Sequence, residues 1–311
     1  MATWNVELGI GPADSVKYKA QRETLRRVDA DIVAFQELQA SSRGEWVRLA
    51  EDLGYPHRAW GELGPFSGDM VVGYFSRFPI LEAHSVRSVR GTREFTRLPL
   101  RLAASVPGAA RPLTLWNMHH KAEFRYRDCF RRAVEAQRIV QDIQRYRVEH
   151  PDRTELVVLG DMNDAAARPE QPERFESLYP RLPWSYRLGF DIRFPVRYRT
   201  FPTDHYGEGG LGFHRVPAFR QDSTNAVTHR YTEMTLDYLF VSPAIRDGPF
   251  GPPRGEIYHS DWDRGGGGLV KAGVPPPAGT SLKASDHYPV FVDLEIEDDS
   301  NRQESLPPAG H

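Results

Sequence analysis

The stretch Glu155–Asp164, ELVVLGDMND, decides the fold. Its first six residues form a short apolar run that reads as a buried strand. Polar chemistry begins where the run stops. Asp161 and Asn163 follow at a spacing of two, so both side chains can point to the same side.

Working outward, a helix precedes this strand from about Arg127 to Glu149. Its apolar stripe is Phe130, Ala133, Val134, Ala136, Ile139, Val140 and Ile143, and Pro151 closes it. Before the helix, Leu113–His119 reads as a strand. Met70–Phe75, Ile80–Val86 and Leu98–Ser105 read as three more, with turn signals between them. Nearer the N-terminus, residues 2–7 and Asp31–Glu37 are strands. Residues 17–28 and the stretch holding Trp46, Leu49, Ala50 and Leu53 are helices. Downstream, Leu236–Ser242 and Tyr288–Ile296 complete the set. The alternation implies an α/β fold.

Residues 165–232 mix arginine, proline and aromatics without a regular period. Residues 243–283 contain Gly265–Gly268 and Pro275–Pro277 and read as a long flexible loop. Residues 298–311 read as a disordered tail. No linker divides the rest, so one catalytic domain over 1–297 is expected.

The 311 residues carry 40 Lys+Arg against 42 Asp+Glu, a formal net charge of -2. This excludes a strongly basic, histone-like nucleic-acid binder but leaves room for a local basic groove. A hydrophobic fraction of 40% excludes a disordered chain. A single cysteine, Cys129, excludes an intrachain disulfide and reads as a small buried hydrophobe. No apolar run approaches the length that spans a bilayer, and no signal peptide is visible. The expected location is cytoplasmic and the default state monomeric.

Chemistry-bearing residues gather at strand ends: Asn5 and Glu7, Gln36 and Glu37, Asn117, His119 and His120, Asp161 and Asn163, Asp237, then Ser285, Asp286 and His287. In α/β sheets such a gathering marks a ligand crevice. Carboxylates without a thiol cluster are hard oxygen ligands suited to Mg²⁺ or Mn²⁺, with Glu7, Glu37 and Asp286 as candidates. Two histidines with a carboxylate partner can stabilise a phosphoryl group.

These motifs resemble the endonuclease/exonuclease/phosphatase superfamily. The matching segments are TWNVE at Thr3–Glu7, FQE at Phe35–Glu37, GYFSRFPI at Gly73–Ile80, NMH at Asn117–His119, GDMND at Gly160–Asp164, LDYLFVS at Leu236–Ser242 and SDHYPV at Ser285–Val290. The resemblance implies a four-layered α/β sandwich, with two mixed sheets face to face and helices outside. It also implies roles. Glu37 would be the main metal ligand, with Asn5 close by, Asp286 at or around the metal, and Glu7 a weaker candidate. Asp161 would activate the attacking water and Asn163 would hold the phosphate. Asp237 would pair with His287, which would stabilise the transition state, and His119 would contact phosphoryl oxygens or the leaving group.

Substrate-binding candidates are Lys121 and Arg125 in a basic run with Arg127, Arg131 and Arg132, and Arg197, Tyr198 and Arg199 in an arginine–aromatic stretch. The plain reading of the first run is a solvated helix face on which Asp128 and Glu135 pair with the arginines. The expected protein is a metal-dependent phosphoesterase acting on nucleic acid, a lipid headgroup or a small phosphodiester or monoester. A nuclease is one alternative; a catalytically silent phosphate-binding module is another.

Overall fold

The computed structural model describes residues 1–87, 94–164, 202–248 and 251–294. Arg197, Tyr198, Arg199 and the tail 298–311 lie outside these residues.

The described elements run in order as β1 (Ala2–Asn5), α1 (Val16–Val28), β2 (Ile32–Gln39), α2 (Arg43–Asp52), β3 (His57–Trp60), β4 (Met70–Ser76), β5 (Ile80–Ser85), β6 (Leu100–Ala104), β7 (Leu113–His119), α3 (Tyr126–Glu149), β8 (Leu156–Asp161), α4 (Pro202–Tyr206), β9 (His214–Arg215), β10 (Ala218–Arg220), β11 (Asp237–Val241), α5 (Pro243–Arg246), β12 (Gly255–Ile257), α6 (Thr280–Ala284) and β13 (Val290–Val292). Seven strands form one sheet in the order β10-β12-β13-β1-β2-β4-β3. Six form a second, β5-β6-β7-β8-β11-β9. Both are mixed: β1 runs parallel to β2 and β7 parallel to β8, with antiparallel neighbours on either side.

The period of two sorts the side chains into layers. On β2, Ile32 and Ala34 enter the core between the sheets, while Val33 and Phe35 join the core under α1 and α2. On β8, Val157 and Leu159 face the first sheet, while Leu156 and Val158 lie under α3. The result is helix, sheet, sheet, helix, as the sequence implies. A local signal at each end bounds α1. Ser15 caps α1 by accepting from the Tyr18 N–H at 3.0 Å, and Asp29 ends it in the left-handed region.

Inward parity also delivers the polar groups. Asn5 follows Thr3, His119 follows Asn117, Asp161 follows Leu159, and Asp237 precedes Leu239. Register then aligns them. His119 is the lateral partner of Asp161, and Asp161 that of Asp237, so three adjacent strands present one row. Asn117 ties the sheets together behind this row. Its Nδ2 donates to the carbonyls of Phe35 and Gly73 at 3.0 Å each, and its Oδ1 accepts from Gln36 Nε2 at 2.7 Å.

Two expectations need correction. The basic face of α3 is not solvated: Asp128, Arg131, Arg132, Glu135 and Arg138 are all buried. Arg131 pairs with Glu135 at 3.6 Å, and Arg132 donates to the carbonyls of Lys121 and Glu123. These arginines hold the β7–α3 connection, so their ion pairs replace water. Nor is 243–283 a featureless loop. It contains α5, β12 and α6, and Arg27 clamps Asp263 with a bidentate pair at 2.7 and 2.9 Å. Cys129 is buried, as expected.

Candidate active site

The crevice is built from the row on the second sheet and three pieces of the first: the ends of β1 and β2 and the turn before β13. That turn is fixed from β1. Ser285 Oγ donates to the Asn5 carbonyl at 2.7 Å and accepts from the His287 N–H at 3.1 Å, while Trp4 Nε1 donates to the His287 carbonyl at 3.0 Å.

Asp161 is the hub, with 1% of its surface exposed. Its Oδ2 accepts from Asn5 Nδ2 at 2.9 Å and Asn163 Nδ2 at 3.0 Å; its Oδ1 accepts from the Asn163 N–H at 2.8 Å. Burial raises its carboxyl to about 6, against the lowering pull of His287 and these donors. Its backbone depends on Gly160 at φ 134°. A Cβ there would stand 2.1 Å from the Met118 carbonyl oxygen, so only glycine fits.

Glu37 faces Asp161 across Asn5. Its Oε1 accepts from the other Asn5 N–H at 3.1 Å, and its Oε2 accepts from the Leu8 N–H at 3.1 Å. It sits at φ 57°, where β2 slips register between Phe35 and Leu38. Asn163 at φ 49° and Glu7 at φ 45° are also left-handed. Such residues cost about 1–2 kcal/mol each and cluster where the fold aims a side chain.

The two histidines differ in charge. His287 Nδ1 donates to Asp237 Oδ2 at 2.8 Å, and its Nε2 lies 3.9 Å from Asp161 Oδ2. Burial alone would lower its pKa, but Asp237, then Asp161 and Asp286, lift it to about 10. It is an imidazolium at neutral pH. His119 Nε2 lies 3.6 Å from both Glu37 Oε1 and Asp161 Oδ2, too far for a hydrogen bond. Burial, with Arg97 nearby, pushes it well below its ordinary range, so it is neutral. Its Nδ1 is buried without a partner.

Asp286 sits 3.3 Å from His229 Nε2. Burial would raise its carboxyl, but His229 and His287 hold it below its usual range. Lys17 donates to the Glu7 carbonyl. Burial lowers its pKa, and Glu7, Asp286 and Glu37 oppose that shift, which places all three carboxylates around this one ammonium.

The structure therefore brings together Asn5, Glu37, His119, Asp161, Asn163, Asp237, Asp286 and His287. Glu7 stands at the edge. Asn5 bridges the Glu37 and Asp161 carboxylates through Nδ2, and its Oδ1, accepting from the Glu7 N–H at 3.0 Å, fixes the amide's orientation. Asn163 Nδ2 is likewise committed, to Asp161 and to the His120 carbonyl at 3.1 Å. His120 lies behind the site, between Glu135 at 3.1 Å and the Tyr206 hydroxyl at 2.9 Å. Lys121 is drawn to the Ala122 carbonyl and toward Asp128, and Arg125 lies beside Glu123, so neither is turned to the site carboxylates. His229, Lys17 and Arg97 are contributors that sequence reasoning missed. His229 lies in a stretch with no readable period, and nothing in its spacing marks it.

The donor set suits a hard divalent cation. Asp161, Asp237 and His287 form one compact group of potential ligand atoms and His229, Asp286 and His287 another; the protonated His287 leaves the carboxylates of these groups, with Glu37 across Asn5, as the oxygen donors.

Solved structures share this fold. The catalytic domain of human Nocturnin with bound sulfate superimposes with a TM-score of 0.57 at 14% identity, covering 96% of this chain and 94% of that one. Truncated Caenorhabditis elegans TDP2 gives 0.54 at 13% identity, covering 93% and 94%. A mannosyl-6-phosphatase from Bacteroides thetaiotaomicron gives 0.53 at 14% identity, covering 95% and 98%. No curated protein sequence matches the chain significantly. A family profile does, across residues 2–287, and with the two-sheet sandwich it establishes that this chain belongs to the endonuclease/exonuclease/phosphatase family, whose members hydrolyse phosphate esters.

Proposed function

We propose that the protein is a divalent-cation-dependent phosphoesterase that cleaves a phosphodiester or phosphomonoester by in-line attack of water. The observation that carries this reading is the pairing of a buried, ionised Asp161 with a protonated His287 Nε2 3.9 Å away. A base and an acid stand side by side at the same strand ends.

Asp161 takes the proton of the attacking water. Asn5 and Asn163 fix its carboxylate through three N–H donors, so it is already oriented. His287 donates from Nε2 to a phosphoryl oxygen, and Asp237 keeps that proton in place from behind. Neutral His119 offers a further contact to the phosphoryl group or leaving group without adding charge. Glu37 and Asp286 would hold Mg²⁺ or Mn²⁺, which when bound supplies charge neutralisation for the phosphate and leaving oxygen. A silent binding module would have no use for this paired acid and base.

The relatives in fold include a phosphatase of a sugar monophosphate, so both ester classes belong in the test. The assay runs Mg²⁺ and Mn²⁺ against plasmid DNA, RNA, sphingomyelin, inositol phosphates and p-nitrophenyl mono- and diesters. Hydrolysis that stops on chelation is expected. Asp161→Ala or His287→Ala should cut kcat at least about 100-fold, the size of a lost transition-state donor. Full activity in His287→Ala overturns the assignment, and plasmid cleavage at low enzyme concentration selects the nuclease branch.

A further inference from the structure

We propose a ligand site behind the Asp237–His287 pair, for a small, mostly apolar molecule that carries one hydroxyl group. The site is a cavity of about 210 Å³ at the open edge of the sandwich, where the β9–β11 edge of one sheet faces β12 and β13 of the other. Leu239 and Val216 form one wall and Ile257 and Val290 the opposite one. All four belong to the core between the sheets. Phe219, 42% exposed, brings the wall out to solvent.

Of the polar residues that line this space, Thr235 donates its hydroxyl to the Ala226 carbonyl, Tyr238 donates to the carbonyls of Asp164 and Thr235, and Arg215 lies over the Tyr238 ring, which leaves Asp237 and Thr228. Asp237 shares the inward parity of Leu239, so its carboxylate is directed between the sheets. Only Oδ2 is used, by His287 Nδ1. Its Oδ1 is buried with no hydrogen-bond partner, on a residue 2% exposed. An unpaired buried carboxylate oxygen is costly, and it calls for a donor. Thr228 Oγ1 already accepts the N–H groups of Leu236 at 2.9 Å and Asp237 at 3.2 Å, so its hydroxyl is left to donate. One acceptor and one donor match a ligand O–H, which both gives and accepts.

The rest of the ligand is neutral and apolar. Arg215 lines the cavity, and the His287 imidazolium already opposes the Asp237 charge, so a cation gains little there. Size agrees: an apolar cavity of about 150 Å³ takes up benzene, and this one has room for a ring with a hydroxyl.

Amide-resolved NMR titration with phenol, and with toluene as the donor-free match, tests the site on the full chain. Phenol should give saturable shifts centred on Ala218, Ala226, Thr228 and Leu239 and bind at least tenfold more tightly than toluene. Ala218→Leu and Ala226→Leu, two separate ways of filling the space, should each weaken phenol at least tenfold while basal hydrolysis stays within twofold. Equal binding of toluene, no saturable shift (a hydrated crevice only), or phenol binding that survives both substitutions overturns the proposal. If the free protein hydrolyses no phosphate ester, the functional reading fails, and the titration still decides the site.

Discussion

Replacing Asp237 by asparagine tests the site at its least redundant point. The change keeps the shape and removes the charge 2.8 Å from His287 Nδ1. With Asp237 in place, His287 titrates at about 10, so about 99% of it is protonated at pH 8. Without that charge Asp161 and Asp286 still raise its pKa while burial lowers it, so it falls back toward an ordinary histidine value; at about 6.5, only about 3% stays protonated at pH 8. The loss from protonation is then about 30-fold at pH 8 but only about twofold at pH 6.5. Any loss from misorientation multiplies both figures equally, so the ratio between the two pH values isolates the charge effect. Initial rates on bis-p-nitrophenyl phosphate with saturating Mg²⁺, from pH 5.5 to 10, give the profile. The wild-type rate should hold to about pH 10, and the variant's should fall through pH 6–7. A variant with a wild-type basic limb, or with the same loss at both pH values, refutes the claim that Asp237 acts by keeping His287 charged.

Three further outcomes follow from the same geometry. At limiting Mg²⁺ the acid limb should fall through about pH 6 as Asp161 protonates, and saturating Mg²⁺ should move it lower; a limb unaffected by the cation concentration would separate Asp161 from the metal. Glu37→Gln should raise the Mg²⁺ concentration for half-maximal activity at least tenfold, read by metal titration, while the melting temperature changes little. Asn117→Ala should cost about 2–4 kcal/mol in urea unfolding, because it removes a donor from two buried carbonyls and an acceptor from Gln36, which keeps its bond to the Thr3 hydroxyl; a cost below about 1 kcal/mol would mean that the sheets do not depend on this tie.

The reading from sequence succeeded where a long apolar run fixes both an element and its end. ELVVLG gave β8 and the position of Asp161 together, because period-two burial leaves one orientation for the residue that follows. Leu113–His119 coincides with β7 for the same reason. The reading missed β3, β9, β10 and β12, strands of two to four residues too short to show a period; the partners of β9, β10 and β12 are also remote in sequence. It also misjudged the α3 face. Arginines at helical spacing look alike in water or buried, and only the β7–α3 connection, whose carbonyls Arg132 caps, decides between them. The left-handed turn at Glu37 left no trace, since glutamate has no preference for that region.

The site's asymmetry is set by environment rather than by residue type. His119 and His287 are both buried, and both lie within 4 Å of Asp161. One has a carboxylate at 2.8 Å behind it and is held charged. The other has an unpartnered Nδ1 and a guanidinium nearby and is held neutral. Two identical side chains are thus driven to opposite protonation states around one base, and such a split assigns acid and base roles in a site. If both histidines were charged, the site would carry a second imidazolium beside Glu37 and compete with the cation bound there. If both were neutral, no proton would face the phosphoryl oxygen. On the function proposed above, the single carboxylate on β11 breaks this symmetry, so Asp237, which need never touch substrate, would set which histidine is the acid.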